Sequence, residues 1–237
     1  MKERPKYTVL THFEELRRRL LIFIGSLFTL WIILFSQFKR LIPLFLMPYE
    51  KAFPELKLEL VFTSLPEAIM AALKSTFFLA FSLSLPILIF QAWRFLAPAL
   101  YPHEKRLFRK LLLVAFFFVL GGLTLAYFVV IPALLKFFLG LGYAYFKPLL
   151  RIQSYLSFIG KGLLVASFLS QLPLLMALLI KVEILPSSPG KKLHFYLLAV
   201  AYGVGLFISP GDLVGQLLLA AIFWGLLESG LLLARVI

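Results

Sequence analysis

The residues best suited to chemistry in this chain are carboxylates set among many basic side chains. Glu14 and Glu15 precede three consecutive arginines, and Glu104 lies in a second basic segment. Because a carboxylate can accept two parallel hydrogen bonds from a guanidinium group, these acids could bind a cationic peptide or substrate. The same spacing also fits helix capping and helical ion pairs, since Glu14 faces Arg18 and Glu15 faces Arg19 on a helix. Spacing alone does not choose between these two interpretations.

Catalytic motifs are missing from the sequence. It contains no P-loop, no G-x-S-x-G and no H-E-x-x-H, and it has no cysteine. The three histidines are scattered near helix ends, which is typical of residues at a membrane border. Ser167 and Ser170 have no His or Asp partner at helical spacing, which disfavours an intramembrane enzyme. We therefore predict a protein that is not an enzyme and needs no metal or other cofactor.

Three polar residues fall inside long apolar segments, where polar groups are costly and often functional. Lys74 and Lys161 are expected to extend their ammonium groups toward the membrane surface. Gln171 lies in the middle of its segment, and Ser167 precedes it by one helical turn on the same face. Its amide could bond a neighbouring helix or contact a partner or substrate, and both interpretations remain open.

Two prolines interrupt the second and fourth apolar segments. Pro86 and Pro173 each remove one backbone donor, which frees the carbonyls of Ser82 and Leu169. We predict kinks in both helices.

Composition indicates an integral membrane protein. Of the 237 residues, 62% are apolar and 15% charged, against roughly 25% charged in a soluble domain. A bilayer-spanning helix needs about 20 mostly apolar residues. The predicted fold class is therefore an all-α polytopic membrane protein with six transmembrane helices. The six segments are Leu20–Phe38, Ala68–Ala92, Leu111–Ile131, Ser154–Ile180, Leu193–Ser209 and Leu213–Ala234.

The fifth and sixth segments are short. Leu193–Ser209 spans about 25 Å at ~1.5 Å per residue, and Leu213–Leu227 is shorter still before Glu228 interrupts it. A hydrocarbon core is about 30 Å thick. We therefore expect the bilayer to be locally thinned around these two segments, or the helix of a partner to lie beside them.

The distribution of Lys and Arg predicts the orientation. Segments on the N-terminal side carry about twice as many as those on the other side, so both termini are predicted to be cytoplasmic. The net charge of +13 therefore reflects the basic residues that orient the protein in the membrane, and no nucleic-acid partner is expected. We predict one multi-pass domain, residues 1–237, in the cell (inner or plasma) membrane. It comprises a cytoplasmic amphipathic N-terminal helix (1–19), outside loops (39–67 and 132–153) and cytoplasmic loops (93–110 and 181–192).

Capping boxes mark two helix starts. The pattern Ser/Thr-x-x-Glu occurs at Thr11–Glu14 and at Ser64–Glu67. The first box predicts that an amphipathic helix precedes the first span.

Three motifs resemble those of the TatC family, the receptor subunits of twin-arginine protein translocases. His12–Leu20 (HFEELRRRL) resembles the family's N-terminal H-x-x-E-L-R-x-R signature. Phe95–Arg106 (FLAPALYPHEKR) resembles its first cytoplasmic loop, F-x-x-P-x-L-Y-x-x-E-[KR]. Ser209–Asp212 (SPGD), followed by Gln216, resembles its last outside turn. Span number and orientation agree with the family over essentially the whole chain.

The resemblance implies a function in protein export. The family binds twin-arginine signal peptides of folded proteins and assembles TatA- and TatB-like single-span subunits for export driven by the proton-motive force. By matching position, Glu15 and Glu104 would receive the two arginines of the peptide. The surrounding surface would comprise Arg17, Arg19, Phe95, Pro98 and Tyr101. Partner contacts would comprise Gln171, Ser209, Asp212 and Gln216. Pro48 and Pro86 fall where the family has prolines and would be structural positions, as Pro173 is by its place inside a helix. The bilayer and an oligomeric active complex complete the implied partners.

One position departs from the family. Many members carry glutamate where this chain has Gln171, and an amide can form hydrogen bonds but cannot carry a buried charge or a proton. The alternative function is a secondary transporter of a small solute, favoured by the kinked helices and Gln171. The missing internal repeat and the scarcity of charge at the midplane argue against it.

Overall fold

The described part of the chain consists of helices, short connecting segments and one pair of two-residue strands. A computed structural model describes residues 9–55, 59–96, 102–143, 149–181, 191–208 and 213–236. The helices are α1 (Val9–Ser36), α2 (Phe38–Ala52), α3 (Glu67–Leu96), α4 (Pro102–Leu125), a π-helical turn (Ala126–Val130), α5 (Ile131–Tyr143), α6 (Ile152–Leu169), α7 (Leu172–Lys181), α8 (Lys191–Ile208) and α9 (Leu213–Val236). The strands β1 (Leu60–Val61) and β2 (Leu150–Arg151) pair in parallel, with Leu60 opposite Leu150.

Four helical segments of this structure are long and apolar enough to cross a bilayer. They are His12–Ser36, Glu67–Phe95, Lys110–Gly140 and Ile152–Ile180. The apolar stretches of α8 and α9, Leu193–Leu206 and Leu219–Ala234, are shorter, at between 10 and 17 residues each. The predicted fold class, an all-α polytopic membrane protein with six membrane helices and a short fifth and sixth, is confirmed.

The structure adds helix where the sequence analysis had placed only loops. Helix α2 occupies the first half of segment 39–67, and its buried face includes Phe45, Tyr49 and Ala52. The third span continues past Ile131 to Gly140 as part of α5. Both additional helical segments contain prolines, Pro43 and Pro48 in α2 and Pro132 in α5. The π turn widens the hydrogen-bond pattern before Pro132, and the amide of Ile131 bonds the carbonyl of Ala126.

Helix starts and breaks agree only partly with the sequence signals. Helix α3 begins at Glu67, the last residue of its capping box, and the Glu67 carboxylate accepts from Thr63 instead of Ser64. Helix α1 begins at Val9 and places Thr11 within the helix. The fourth span is interrupted between α6 and α7, immediately before Pro173. Pro86 lies inside the unbroken helix α3.

Helix α3 is the centre of the packing, with α1 on one side and α6 on the other. Phe23 and Leu27 of α1 pack on Ala80 of α3. Leu156 and Ile159 of α6 belong to a second cluster that α3 shares with α2 and α5. A third cluster joins α7, α8 and α9. The bundle thereby fixes the ends of α1 and α3, where the candidate site lies.

Pro48 gives α2 a backbone carbonyl without its helical donor. A proline at this position cannot donate to the carbonyl four residues earlier, which belongs to Leu44. The hydroxyl of Tyr127, in the π turn, donates to the oxygen of Leu44 at 2.7 Å. A side chain on a facing helix thus replaces the missing backbone bond.

The facing helix has the reciprocal arrangement. Pro132 deprives the carbonyl of Phe128 of its α-helical donor. Lys51 of α2 donates from Nζ to the oxygen of Phe128 at 2.8 Å, and its ammonium group lies 5.1 Å from the centre of the Phe128 ring. Two proline-freed carbonyls are therefore each bound by a side chain of the opposite helix, and α2 is fastened to the third span.

Tyr127→Phe is expected to destabilise the protein by about 1 kcal/mol, because it removes one hydrogen bond to a carbonyl that has lost its helical donor. The cost should shrink in a Pro48→Ala background, where an alanine amide can again bond Leu44. Thermal unfolding of the four proteins of this cycle in detergent would measure the coupling. An equal cost of Tyr127→Phe in both backgrounds would contradict the role assigned to Pro48.

Candidate functional site

The N-terminal part of α1 lies against the C-terminal end of α3. The ring of His12 stacks on the ring of Phe95, with centroids 4.3 Å apart and planes 24° from parallel. The two residues belong to the first two motifs, which are more than 80 positions apart in the chain. Antiparallel packing of α1 on α3 brings these motifs together at one end of the bundle.

Glu15 is held by its own helix. Arg19 donates from an Nη atom to its Oε1 at 3.0 Å, across the predicted i,i+4 spacing. Both side chains are largely shielded, with exposed fractions of 23% for Glu15 and 17% for Arg19. The Nε atom of Arg19 is buried and has no hydrogen-bond acceptor in the described structure. The ion pair thus holds the Glu15 carboxylate near the Nε donor of Arg19, which forms no hydrogen bond in the described structure.

Glu14 belongs to a different face of α1. With Arg17, Arg18, Leu21 and Ile22, it lines an open cavity of about 480 Å³. The predicted ion pair between Glu14 and Arg18 is not formed among the described residues. The two adjacent glutamates therefore have different surroundings, and Arg17 lies beside Glu14.

The remaining residues of the predicted peptide site are described only in part. Glu104 lies in the first turn of α4, whose backbone begins at Pro102, but its side chain lies outside the described residues. Pro98 and Tyr101 also lie outside them. The placement of Glu104 relative to Glu15 therefore stays a prediction.

Gln171 lies at the break between α6 and α7. Its Nε2 atom donates to the carbonyl of Ala115 on α4 at 3.3 Å and to the hydroxyl of Ser170 at 3.2 Å. Its Oε1 atom is buried and has no hydrogen-bond partner in the described structure. Gly122 of α4 lies directly against Ser170, so the helices approach closely here. One half of the amide makes the predicted interhelical bond, and the other half keeps an unused acceptor.

The last motif is described at only one position. Gln216 is buried in α9, 8% exposed, while Ser209 and Asp212 lie outside the described residues. The carbonyl of Gln216 lies against Gly205 of α8, where a Cβ atom would come within 2.6 Å of it. Close packing of α8 on α9 thus fixes the position of Gln216.

The structure also contains an ion pair that sequence reasoning missed. Glu67 is fully shielded, and Arg151 donates from Nε to its Oε1 at 3.3 Å. Thr63 donates its amide and its hydroxyl to Oε2 at 2.8 and 3.0 Å. The capping box pointed to Glu67, yet no local signal could have joined it to a residue 84 positions away.

A second polar contact ties α8 to α9. His194 Nδ1 and Glu228 Oε1 lie 2.5 Å apart, and both side chains are partly exposed. The two residues lie 34 positions apart, so no local sequence signal joins them. Their contact lies beside the apolar cluster of α7, α8 and α9, within the apolar stretches of α8 and α9.

These features define a class of protein before any comparison. The described residues contain no group of three or more metal-ligating side chains. The polar contacts of Glu15, Glu67, Gln171 and Glu228 lie near helix ends or at a helix break of a multi-pass membrane bundle, an arrangement suited to binding other proteins.

Comparison with known proteins identifies the family. The model of the family described as Sec-independent protein translocase protein (TatC) matches residues 11–221. The chain is 33% identical to TatC of Aquifex aeolicus over 211 residues, covering 88% of this chain and 87% of the relative. It is 31% identical to TatC of Escherichia coli O6:H1, covering 96% and 88%. The chain belongs to the TatC family, and it is a multi-pass membrane component of a protein translocase.

Solved structures agree with this assignment. A crystal structure of the twin-arginine translocase receptor TatC superposes with a TM-score of 0.78 at 32% identity, covering 95% of this chain and 98% of that one. A second structure of that receptor, in DDM, gives a TM-score of 0.79. The relatives are named for protein transport rather than for catalysis.

Proposed function

We propose that this chain binds twin-arginine signal peptides of folded proteins at the end of the bundle formed by the start of α1 and the end of α3. Glu15 and Glu104 receive the two guanidinium groups, and Arg17, Arg19, Phe95, Pro98 and Tyr101 form the surrounding surface. The observation that supports this most directly is the stacking of His12 on Phe95, which brings the two motifs together.

The geometry of Glu15 suits a guanidinium ligand. An ionised carboxylate offers about four lone-pair sites, and the pair with Arg19 engages only Oε1 among the described residues. Arg19 therefore orients the carboxylate, while Oε2 is left for the peptide. Because Arg17, Arg18 and Arg19 surround this segment, an arginine-rich ligand needs carboxylates to offset the repulsion between positive charges.

The proposal includes an orientation. The protein lies in the inner or plasma membrane of the cell. Because basic residues are concentrated on the side of the N-terminus, both termini and the peptide site face the cytoplasm. Signal peptides reach the translocase from that side.

The same proposal includes assembly with other proteins. Gln171 and the motif of Ser209, Asp212 and Gln216 contact TatA- and TatB-like single-span subunits, in an oligomeric complex that uses the proton-motive force. The unused Oε1 of Gln171 and the short apolar stretches within α8 and α9 support such contacts.

Peptide binding by the purified protein in lipid nanodiscs tests the proposed function. A peptide with two consecutive arginines is expected to bind at least about tenfold more tightly than its two-lysine counterpart, since lysine cannot form the bidentate contact. Equal affinity for the two peptides would contradict the proposal, and the arginine peptide must bind without any other subunit present.

Gln171→Leu separates the two interpretations of that residue. Loss of one interhelical bond is expected to cost about 1 kcal/mol of stability, because Ala115 remains inside its own helix. If Gln171 also contacts a partner, co-purification of a single-span subunit should fall several-fold at a temperature well below unfolding. Unfolding temperature and co-purified subunit are measured on the same preparation. A stability loss with undiminished co-purification would limit Gln171 to packing.

A further inference from the structure

A basic groove lies between α3 and α6, at the end of the bundle that contains the two strands. It has a volume of about 720 Å³. Its polar lining comprises three cations and three neutral groups: Lys74, Arg151, Lys161, Gln153, Ser154 and Ser157. Among the described residues, no acidic side chain lines it. The groove is far along α3 from Phe95 and is separate from the proposed peptide site.

Two of the three cations lack a counter-charge. Arg151 pairs with Glu67, whereas Lys74 and Lys161 are exposed and form no ion pair in the described structure. Lys74 lies about 10 Å along α3 from its start, and Lys161 about 14 Å along α6, at ~1.5 Å per residue. At these depths both lie below the ends of their spans, where a charged group is poorly solvated and calls for a partner.

The remaining surface of the groove is apolar. Phe78 of α3 and Phe158 of α6 line it beside the cations. At Gly160 the two helices approach so closely that a Cβ atom would lie 3.0 Å from the Cβ of Phe78. Close packing of the two helices at Gly160 therefore limits the depth of the groove. Cations with hydroxyl donors above an aromatic floor fit a molecule that has an anionic head and an apolar tail.

We propose that this groove binds the phosphate headgroup of an anionic phospholipid, with an acyl chain lying along Phe78 and Phe158. Lys74 and Lys161 extend toward the end of the bundle and contact the phosphate. Ser154 and Ser157 precede Lys161 by seven and four residues, which places them on the same face of α6, and they supply hydroxyl donors. The lipid offsets the repulsion between two cations on neighbouring spans. This assignment is independent of the signal-peptide site.

Lipid titration of the purified full-length protein, followed by native mass spectrometry, tests the assignment. Phosphatidylglycerol is expected to bind at least about tenfold more tightly than phosphatidylcholine. Lys74→Gln/Lys161→Gln should lower the affinity for phosphatidylglycerol by about 25-fold, at about fivefold for each basic side chain. Lys74→Arg/Lys161→Arg should stay within about threefold of the wild type, because the charge is kept.

The matched control removes two exposed lysines outside the groove. Lys39→Gln/Lys136→Gln has the same change in net charge and should keep the wild-type affinity. An equal loss in this control would attribute the binding to net charge and overturn the site. Displacement of the lipid by millimolar inorganic phosphate would overturn the lipid assignment in favour of a simple anion site. Full affinity in the folded Lys74→Gln/Lys161→Gln protein would overturn the proposal altogether.

Discussion

Glu15→Gln combined with Glu104→Gln is expected to lower the affinity for a twin-arginine peptide by about 10²- to 10⁴-fold. Each hydrogen bond to a charged group contributes about 1.5–3 kcal/mol, and about 1.4 kcal/mol corresponds to a factor of ten in affinity. Glutamine keeps the shape of each side chain and removes its charge. The loss should therefore appear in the affinity and leave the fold intact. Fluorescence anisotropy of a labelled peptide in nanodiscs measures it.

The neighbouring glutamate provides the control. Glu14→Gln makes the same chemical change one residue away, but Glu14 lines a cavity on another face of α1. The affinity of the Glu14→Gln variant for the peptide should stay within about threefold of the wild type, because only the long-range effect of one charge is lost. Equal losses in Glu14→Gln and Glu15→Gln would mean that the peptide senses only the net charge of the segment. Unchanged affinity in the double variant would refute the site.

The Glu15 variants also test the role of Arg19. In Glu15→Gln, Arg19 loses its ion-pair partner while its Nε atom remains buried without an acceptor. The ion pair of Glu15 with Arg19 is expected to contribute little to the stability of the wild type, because helical pairs at i,i+4 spacing contribute about 0.3–0.5 kcal/mol. The variant should therefore unfold within a few degrees of the wild type. Its loss of peptide affinity then reflects the missing carboxylate and not a disordered α1.

Much of the fold could be predicted from the sequence because membrane spans are local signals. An apolar run of sufficient length identifies a spanning helix without knowledge of its neighbours, and four of the six segments proved long enough to cross. The pairing of Glu15 with Arg19 was equally local, since both lie on one helix face. The stack of His12 on Phe95 follows from the packing of α1 on α3, and the motifs only suggested it.

The rest depends on contacts between distant segments. Helix α2 contains two prolines, and Tyr127 and Tyr155 from other elements donate to two of its carbonyls. In return, Lys51 of α2 donates to the carbonyl of Phe128. Local propensity alone could not indicate this helix. The ion pair of Glu67 with Arg151 depends on the pairing of β1 with β2, two strands of two residues each. Elements this short carry no periodicity from which a strand could be predicted.

Gly230→Val is expected to destabilise the bundle by about 3 kcal/mol, the upper end of the usual range for overpacking. A Cβ atom at Gly230 of α9 would lie 2.6 Å from the Cβ of Met176 and 2.8 Å from the carbonyl oxygen of Pro173 on α7. Pro173 is fully buried beside the break in the fourth span. Because the obstructing atoms include backbone, side-chain rotation cannot relieve the clash, and α9 must move away from α7.

Gly225→Val is the matched control for this effect. Gly225 lies on the same helix, and a Cβ atom there would meet nothing within 4 Å. Both substitutions carry the same cost or gain of helix propensity, so the difference between the two variants isolates the contact with α7. Thermal unfolding in detergent should show a large decrease in Tm for Gly230→Val and a change of at most a few degrees for Gly225→Val. Equal shifts would contradict close packing at Gly230. Since Glu228 contacts His194 two residues before Gly230, displacement of α9 should also loosen the contact between the two short helices, where partner subunits are proposed to bind.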